Sequence, residues 1–322
     1  MDRLLRLAGA RPVRTAVNVL SLALVALVAF FTARHFAQEG WPLHDVDVPL
    51  VVAAGGLFFS AYLFKASGWR LLFADGQRPS SFTLAVAGGA AAVTGVALPG
   101  RFDEAVRIGV VRRYRGKQTG IGAICLSLLL LGLIDTAALS PLAGFAAGAS
   151  GASGWFLAGL IVVAGAGAAS GAFVLALPRI VCVGALVRFR IVRWAQEHCA
   201  TRRDASTAWA LISISWFLRG SAIFLLLEAL SVATGASAFT IAFTFLCASA
   251  ASSALPIAPA GAATQAGAGA AILIATGTGT SEAVAFAVAA QALAVLVGAA
   301  IVVSAVVWHV GQRLAPARAY AR

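Results

Sequence analysis

The chain has 322 residues, of which 61% are hydrophobic and 11% are charged, whereas soluble domains carry about 25% charged residues. So little charge cannot keep the surface of an ordinary folded domain hydrated, which excludes a soluble domain. The formal net charge of +12 does not indicate nucleic acid, because the Lys and Arg residues lie between apolar runs; anionic lipids at the cytoplasmic face are their expected partners.

Apolar runs of about 20 residues recur along the chain and predict an all-α integral membrane protein. The runs that are long and continuous enough for transmembrane helices are 15–36, 49–72, 119–147, 155–177, 207–231 and 282–308. The first is longer than the apolar region of about 7–15 residues in a signal peptide, so we interpret it as a retained span.

Positive charge predicts the orientation of these spans. The N-terminal tail and the C-terminal tail are rich in Arg, and the segment 179–203 holds six Arg, so all three are predicted to be cytoplasmic. The loops 37–48, 148–154 and 232–236 contain neither Lys nor Arg and are predicted to face the outside. Both termini are therefore expected in the cytoplasm.

Two further apolar segments, 80–116 and 237–277, are predicted to be re-entrant helical hairpins. In the first, the apolar run 80–98 lies between two basic stretches, 65–78 with Lys65 and 101–117, and a full crossing by this run would leave one of them outside. A hairpin that enters from the cytoplasm and returns there avoids this conflict. The second hairpin must enter from the outside for the C-terminal tail to end in the cytoplasm.

The order span, span, hairpin, span then occurs twice with opposite orientation. This predicts one membrane domain, 1–322, built from an inverted repeat of 15–147 and 155–308, as in transporters that alternate access to a site at the midplane. At a constant offset, Ala97-Leu98-Pro99 matches Ala254-Leu255-Pro256.

The hairpin tips are predicted where Pro and Gly interrupt the apolar runs. The first contains Pro99 and Gly100, and the second contains Pro256, Pro259 and Gly261. Proline removes a backbone donor and glycine allows the chain to reverse. Backbone freed in this way is tolerated at membrane depth only against protein or a water-filled cavity, so the tips are predicted to meet at a polar pocket.

Four charged residues follow the first tip: Arg101, Asp103, Glu104 and Arg107. On a helix that starts near Phe102, Arg107 lies at i+4 from Asp103 and at i+3 from Glu104, so these side chains share one face. Arginine can donate two parallel hydrogen bonds to a phosphate, and a helix N-terminus favours an anion. We therefore predict a headgroup site, with a lipid-binding basic surface loop as the alternative.

Asp135, Arg219 and Glu228 lie inside predicted spans, where a charge costs at least a few kcal/mol and indicates function by default. Two interpretations are open: a structural Asp135–Arg219 salt bridge, or an Arg219 that faces the pocket as a second phosphate contact. Glu228 is predicted near the outer mouth of the pocket. The second hairpin carries no charge, and its candidates for substrate contact are Thr264 and Gln265.

The sequence contains no Ser–His–Asp pattern, no clustered metal ligands and no phosphate-binding glycine loop. Its four cysteines are scattered, without the paired spacing of a zinc site or a disulfide framework. We therefore expect a carrier rather than an enzyme, with no metal and no cofactor.

The run from Ala97 to Arg107, with its Leu-Pro-Gly-Arg turn, resembles the lysylphosphatidylglycerol synthase transmembrane-region family, and the stretch from Pro256 to Gly261 is also similar. That family includes the flippase portion of bacterial multiple-peptide-resistance proteins. The resemblance implies lipid translocation between leaflets, with Arg101, Glu104 and Arg107 as headgroup contacts.

The chain also departs from this family pattern. Asp103 stands where a small residue is usual, and Thr264-Gln265 stands where an acid is common. The soluble aminoacyl-transferase domain is absent, so lysyl transfer is not expected. A membrane phospholipid or lipid-linked molecule is the expected substrate, in a monomer or an oligomer. The alternatives are an ion-coupled small-solute transporter with the same repeat and a membrane-embedded enzyme acting on lipid-linked substrates.

Overall fold

The computed structural model describes residues 30, 33–34, 36–38, 40–43, 45–97, 102–113, 119–150, 153–181, 194, 199–232, 237–253 and 261–319. Within these ranges the chain is helical and has no β-strand. In chain order the helices are α1 Val48–Leu71, α2 Ser81–Ala97, α3 Phe102–Arg113, α4 Ile121–Ala149, α5 Gly154–Val181, α6 Arg202–Ala229, α7 Ala238–Ser253, α8 Gly261–Ala275 and α9 Thr280–Ala319.

Five helices of the described part are long and apolar enough to cross a membrane: Val48–Leu71, Ile121–Ala149, Phe156–Arg179, Arg202–Ala229 and Thr280–Gly311. They coincide with five of the six predicted spans. Most of the other predicted span, 15–36, lies outside the described residues. The prediction of a multi-pass helical membrane protein is confirmed.

Helices α1 and α6 pack tightly against each other at the centre of the bundle. Gly68 makes this possible, because a Cβ atom at this position would lie 2.7 Å from Cγ1 of Ile212 and 3.1 Å from the carbonyl oxygen of Ala208. The hydroxyl of Ser215 donates a hydrogen bond of 2.8 Å to the carbonyl oxygen of Ala61. The close approach fixes which faces of the two helices point towards the rest of the molecule.

Each of the two interrupted apolar segments forms a pair of short helices that pack against each other, α2 with α3 and α7 with α8. The hydroxyl of Thr119 donates to the carbonyl oxygen of Gln77 at 3.2 Å, so the chain before α2 and the chain after α3 lie side by side. At the predicted tips, Pro99, Gly100, Arg101, Pro256 and Pro259 lie outside the described residues, and Gly261 begins α8.

The first helix of each pair packs against two of the long helices. Helix α2 packs against α1 and α9, and helix α7 packs against α6 and α4. Gly89 of α2 meets Gly298 of α9 so closely that a Cβ atom on Gly89 would lie 2.5 Å from the carbonyl oxygen of Gly298. Small residues permit this kind of approach between membrane helices.

Two contacts connect the ends of α6 to neighbouring segments. Arg78 pairs with Asp204, near the start of α6, at 2.8 Å. At the other end of this helix, the backbone N–H of Asp47 donates to the carbonyl oxygen of Ala229 at 2.9 Å. The segment before α2 and the segment before α1 therefore lie at opposite ends of α6.

Candidate functional site

A cavity of about 790 Å³ lies between α1, α3, α4, α6, α7, α8 and α9. Ligand pockets occupy about 300–1,000 Å³, so this cavity is large enough for a lipid headgroup. The charged residues that line it are Lys65, Asp103, Glu104, Arg107, Asp135 and Arg219. Three cations and three acids thus face one space.

Asp135 of α4 pairs with Lys65 of α1, at 2.6 Å between Oδ2 and Nζ. Its other carboxylate oxygen, Oδ1, accepts a hydrogen bond of 3.0 Å from Nε1 of Trp216 on α6. The proposed Asp135–Arg219 salt bridge is therefore wrong, because the carboxylate is bonded by Lys65 and Trp216. These contacts join three helices at the wall of the cavity.

Lys65 is a charged cavity residue that the charge pattern of the sequence assigns elsewhere. That pattern places it in the cytoplasmic stretch 65–78, but α1 continues to Leu71 and keeps Lys65 inside the helix. The signal was present, since Lys65 falls within the apolar run 49–72. An ammonium group is tolerated there because Asp135 supplies the opposite charge and the cavity supplies a polar surrounding.

Arg219, near the middle of α6, faces the cavity between two aromatic rings. Its guanidinium carbon lies 5.1 Å from the ring centroid of Trp216 and 5.4 Å from that of Tyr62. Its Nε is buried and has no hydrogen-bond partner. In the described part of the chain no carboxylate forms a salt bridge with Arg219. The aromatic rings hold this cation in place without neutralising it.

Charged residues of α3 also line the cavity. Nη2 of Arg107 is 3.5 Å from Oδ2 of Asp103, which confirms the predicted i, i+4 pair. Glu104 also lines the cavity and is exposed. Arg101, which the sequence places in this cluster, lies outside the described residues.

The part of the cavity lined by α7, α8 and α9 carries polar groups and, within the described residues, no charge. The side-chain amide of Gln291 on α9 donates to that of Gln265 on α8 at 3.3 Å, and the hydroxyl of Ser249 donates to the carbonyl oxygen of Gln265 at 3.1 Å. These groups suit hydroxyl or ester oxygens better than a charge. The predicted role of Gln265 as a cavity residue agrees with its position.

The structure does not bring Glu228 or Thr264 to the cavity. Glu228 is exposed and follows Arg219 by nine residues, which at about 100° per residue places it on the opposite face of α6. Thr264 is rotated by about 100° from Gln265, so the two residues of this pair point in different directions.

Three residues of α4 line the cavity and have large exposed fractions. Cys125, Leu129 and Gly132 are spaced at i, i+4 and i+7, which places them in one row on the helix. Leu129 is 60% exposed. An apolar side chain with so large an exposed area suits contact with hydrocarbon at this side of the cavity.

A family model described as the lysylphosphatidylglycerol synthase TM region matches residues 18–302. Comparisons with curated proteins and with solved structures give no match. The matched region contains the described residues that line the cavity, from Phe58 to Ala294. The chain therefore belongs to the lysylphosphatidylglycerol synthase TM region family.

Proposed function

We propose that the protein is a lipid flippase that moves an anionic or phosphate-linked lipid between the leaflets of a bacterial inner membrane. The headgroup passes through the cavity while the hydrocarbon chains stay in the bilayer. The family supports a lipid-related role in the membrane. The observation that carries the proposal is Arg219, an intramembrane cation that faces the cavity without an ionic partner in the described structure.

Arg219 supports an anionic substrate for an energetic reason. A charged side chain in a membrane is costly, so such residues normally pair with a counter-ion or mark a substrate path. A buried N–H without a partner also costs about 1–3 kcal/mol. A phosphate oxygen would remove both penalties at once, since the guanidinium group can donate two hydrogen bonds to it.

The exposed row on α4 favours a lipid over a small solute. A solute carrier needs walls that seal its substrate from the bilayer, whereas a lipid carrier needs a slot for the hydrocarbon chains. The exposed row Cys125, Leu129 and Gly132 on α4 would supply such a slot beside Asp135. The amide groups of Gln265 and Gln291 would contact the uncharged part of the headgroup.

The proposal includes the inverted repeat and its two re-entrant hairpins, α2–α3 and α7–α8. The hydrogen bond between Thr119 and Gln77 supports the first hairpin, because the chain leaves and returns at the same end of the bundle. The matching neighbours of α2 and α7 support the repeat. Hairpins from opposite faces would open the cavity to one leaflet at a time.

The test is a flipping assay in proteoliposomes, with fluorescent phospholipids and a membrane-impermeant quencher. The wild-type protein should accelerate flipping of an anionic phospholipid above the protein-free rate. Arg219→Gln should lower that acceleration about tenfold or more, because a hydrogen bond to a charged group contributes about 1.5–3 kcal/mol. Arg70→Gln is the matched control, since Arg70 is exposed and does not line the cavity.

Equal flipping rates with and without the wild-type protein, across phospholipids and polyprenyl phosphates, would contradict the proposal. Uptake of radiolabelled glycerol phosphate into the same vesicles would instead favour the small-solute transporter. Mass spectrometry of the recovered lipids separates both from an enzyme, because a carrier leaves the lipid unchanged.

A further inference from the structure

We propose that Lys65 is a second phosphate contact and that Asp135 is the internal counter-ion that the substrate displaces from it in each transport cycle. The inference rests on the proposed function and concerns the same cavity. The alternative is a purely structural role, in which the ion pair only connects α1 and α4.

The Lys65–Asp135 pair lies at the cavity wall rather than inside the helix packing. Both side chains line the cavity, and their relative exposures are 20% and 21%. An anion that enters the cavity therefore meets the ammonium group of Lys65 directly.

Trp216 gives Asp135 a partner that stays in place when Lys65 leaves. Its indole N–H donates to Oδ1 of Asp135 at 3.0 Å, whereas Lys65 bonds the other oxygen. The same indole ring has Nζ of Lys65 at 5.4 Å from its centroid and the guanidinium carbon of Arg219 at 5.1 Å. Trp216 thus contacts two cations and one carboxylate.

The two cations differ in their freedom to move. Arg219 is held between the rings of Tyr62 and Trp216, whereas the ammonium of Lys65 ends a flexible four-carbon stem. Lys65 is therefore the cation that can turn from Asp135 to an incoming phosphate. Arg219 supplies the fixed half of the site.

The group of Lys65, Arg219 and Asp135 fits a substrate with one negative charge. Lys65 and Arg219 carry two positive charges and Asp135 carries one negative charge, so these three residues have an excess of one positive charge. A phosphodiester neutralises that excess without a proton or a metal ion, and the remaining net negative charge of the cavity lining lies on α3. The other charges that line the cavity come from α3, where Asp103 pairs with Arg107 and Glu104 lies beside them; α7, α8 and α9 add none within the described residues.

Competition between Asp135 and the phosphate for Lys65 predicts that the loss of the carboxylate raises the affinity for the substrate instead of lowering it. If the carboxylate competes with phosphate for Lys65, Asp135→Asn removes the competitor and binding becomes tighter. Release becomes slower, because no internal anion takes the cation back. A structural brace predicts the reverse for binding, since the loss of Asp135 would leave Lys65 unpaired and loosen the site.

The experiment measures binding of short-chain phosphatidylglycerol to the full-length protein in detergent, and flipping of the fluorescent lipid in proteoliposomes. Asp135→Asn should bind about tenfold tighter than wild type and flip more slowly. Lys65→Gln should bind about tenfold more weakly. Asp45→Asn is the control for net charge, because Asp45 is exposed and lies outside the cavity.

A folded Asp135→Asn protein that binds with equal or lower affinity overturns the inference. If this variant does not fold, Lys65→Gln decides, because it removes the cation that Asp135 and the phosphate would share. The inference predicts weaker binding and slower flipping for Lys65→Gln, and wild-type binding and flipping of this variant overturn it. If the wild type does not bind phosphatidylglycerol and Arg219→Gln does not change the flipping rate, the proposed function itself fails. If binding depends on Arg219 but not on Asp135, only the proposed displacement of Asp135 from Lys65 is wrong.

Discussion

At the scale of single residues, Trp216 connects the charges of the cavity. It is 8% exposed, its ring contacts the cations of Lys65 and Arg219, and its N–H bonds the carboxylate of Asp135. Tryptophan suits this position because it combines a π-face for cations with one hydrogen-bond donor. A change at Trp216 should therefore affect transport more than it affects packing.

Trp216→Phe keeps an aromatic face but removes the donor to Asp135. We expect a loss of about 1.5–3 kcal/mol in the free energy of unfolding, the usual value for a hydrogen bond to a charged group, together with a clear loss of flipping. Thermal unfolding in detergent and the proteoliposome assay measure the two effects. Trp69→Phe is the matched control, since Nε1 of Trp69 donates to the hydroxyl of Ser127 at 3.0 Å, away from the cavity.

The Trp69→Phe variant should lose some stability and keep its flipping rate. Equal losses of flipping in the two variants would mean that Trp216 acts through general stability alone.

At the scale of elements, the contact between α2 and α9 depends on two glycines. The hydrogen atom of Gly89 points at the backbone of Gly298, and backbone cannot move aside as a flexible side chain can. The contact holds the first arm of the first helix pair against the last long helix. A single methyl group at Gly89 should therefore push α2 and α9 apart.

Gly89→Ala should lower the free energy of unfolding by about 1–3 kcal/mol, the usual cost of overpacking. Gly88→Ala is the neighbouring control, because its Cβ would meet only the ring of Tyr62 at 3.7 Å, an ordinary contact. Alanine should leave stability at that position unchanged or slightly higher, since it favours a helix more than glycine does. Midpoints of thermal unfolding that shift equally in both variants would contradict the close α2–α9 contact.

At the scale of the whole molecule, Cys125 reports which side of the membrane reaches the cavity. It is exposed, lines the cavity and lies near the start of α4, at the end that the charge distribution predicts to be cytoplasmic. Cys247 is buried. At Cys199, partial burial raises the pKa of the thiol, which makes Cys199 less reactive. One native thiol can therefore report on access.

In a variant that carries Cys182→Ser and Cys199→Ser, a membrane-impermeant maleimide should label Cys125 in inside-out vesicles. Labelling should be at least several-fold weaker in right-side-out vesicles, because the maleimide must reach the cytoplasmic end of the cavity. The further change Cys125→Ser gives the background of the buried Cys247. Stronger labelling from the outside would reverse the predicted orientation.

The sequence alone determined the features that depend on neighbouring residues. Hydropathy over about 20 residues located five spans that the structure bears out, and the spacing of Asp103 and Arg107 predicted their ion pair. Both depend on helix periodicity, which is a local property of the chain. The turn after Ala97 likewise resembled the family that the whole-chain match identifies.

Only the tertiary structure decided which distant side chains meet. Lys65 and Asp135 are 70 residues apart, and their pairing depends on the rotation and depth of α1 and α4, which hydropathy does not define. The same packing sends Arg219 to the cavity and Glu228 to the surface, although both lie in one helix. Local composition was therefore enough to predict the spans. The residues that line the cavity depend on how the helices pack, because only the packing decides which face of each helix points into the cavity.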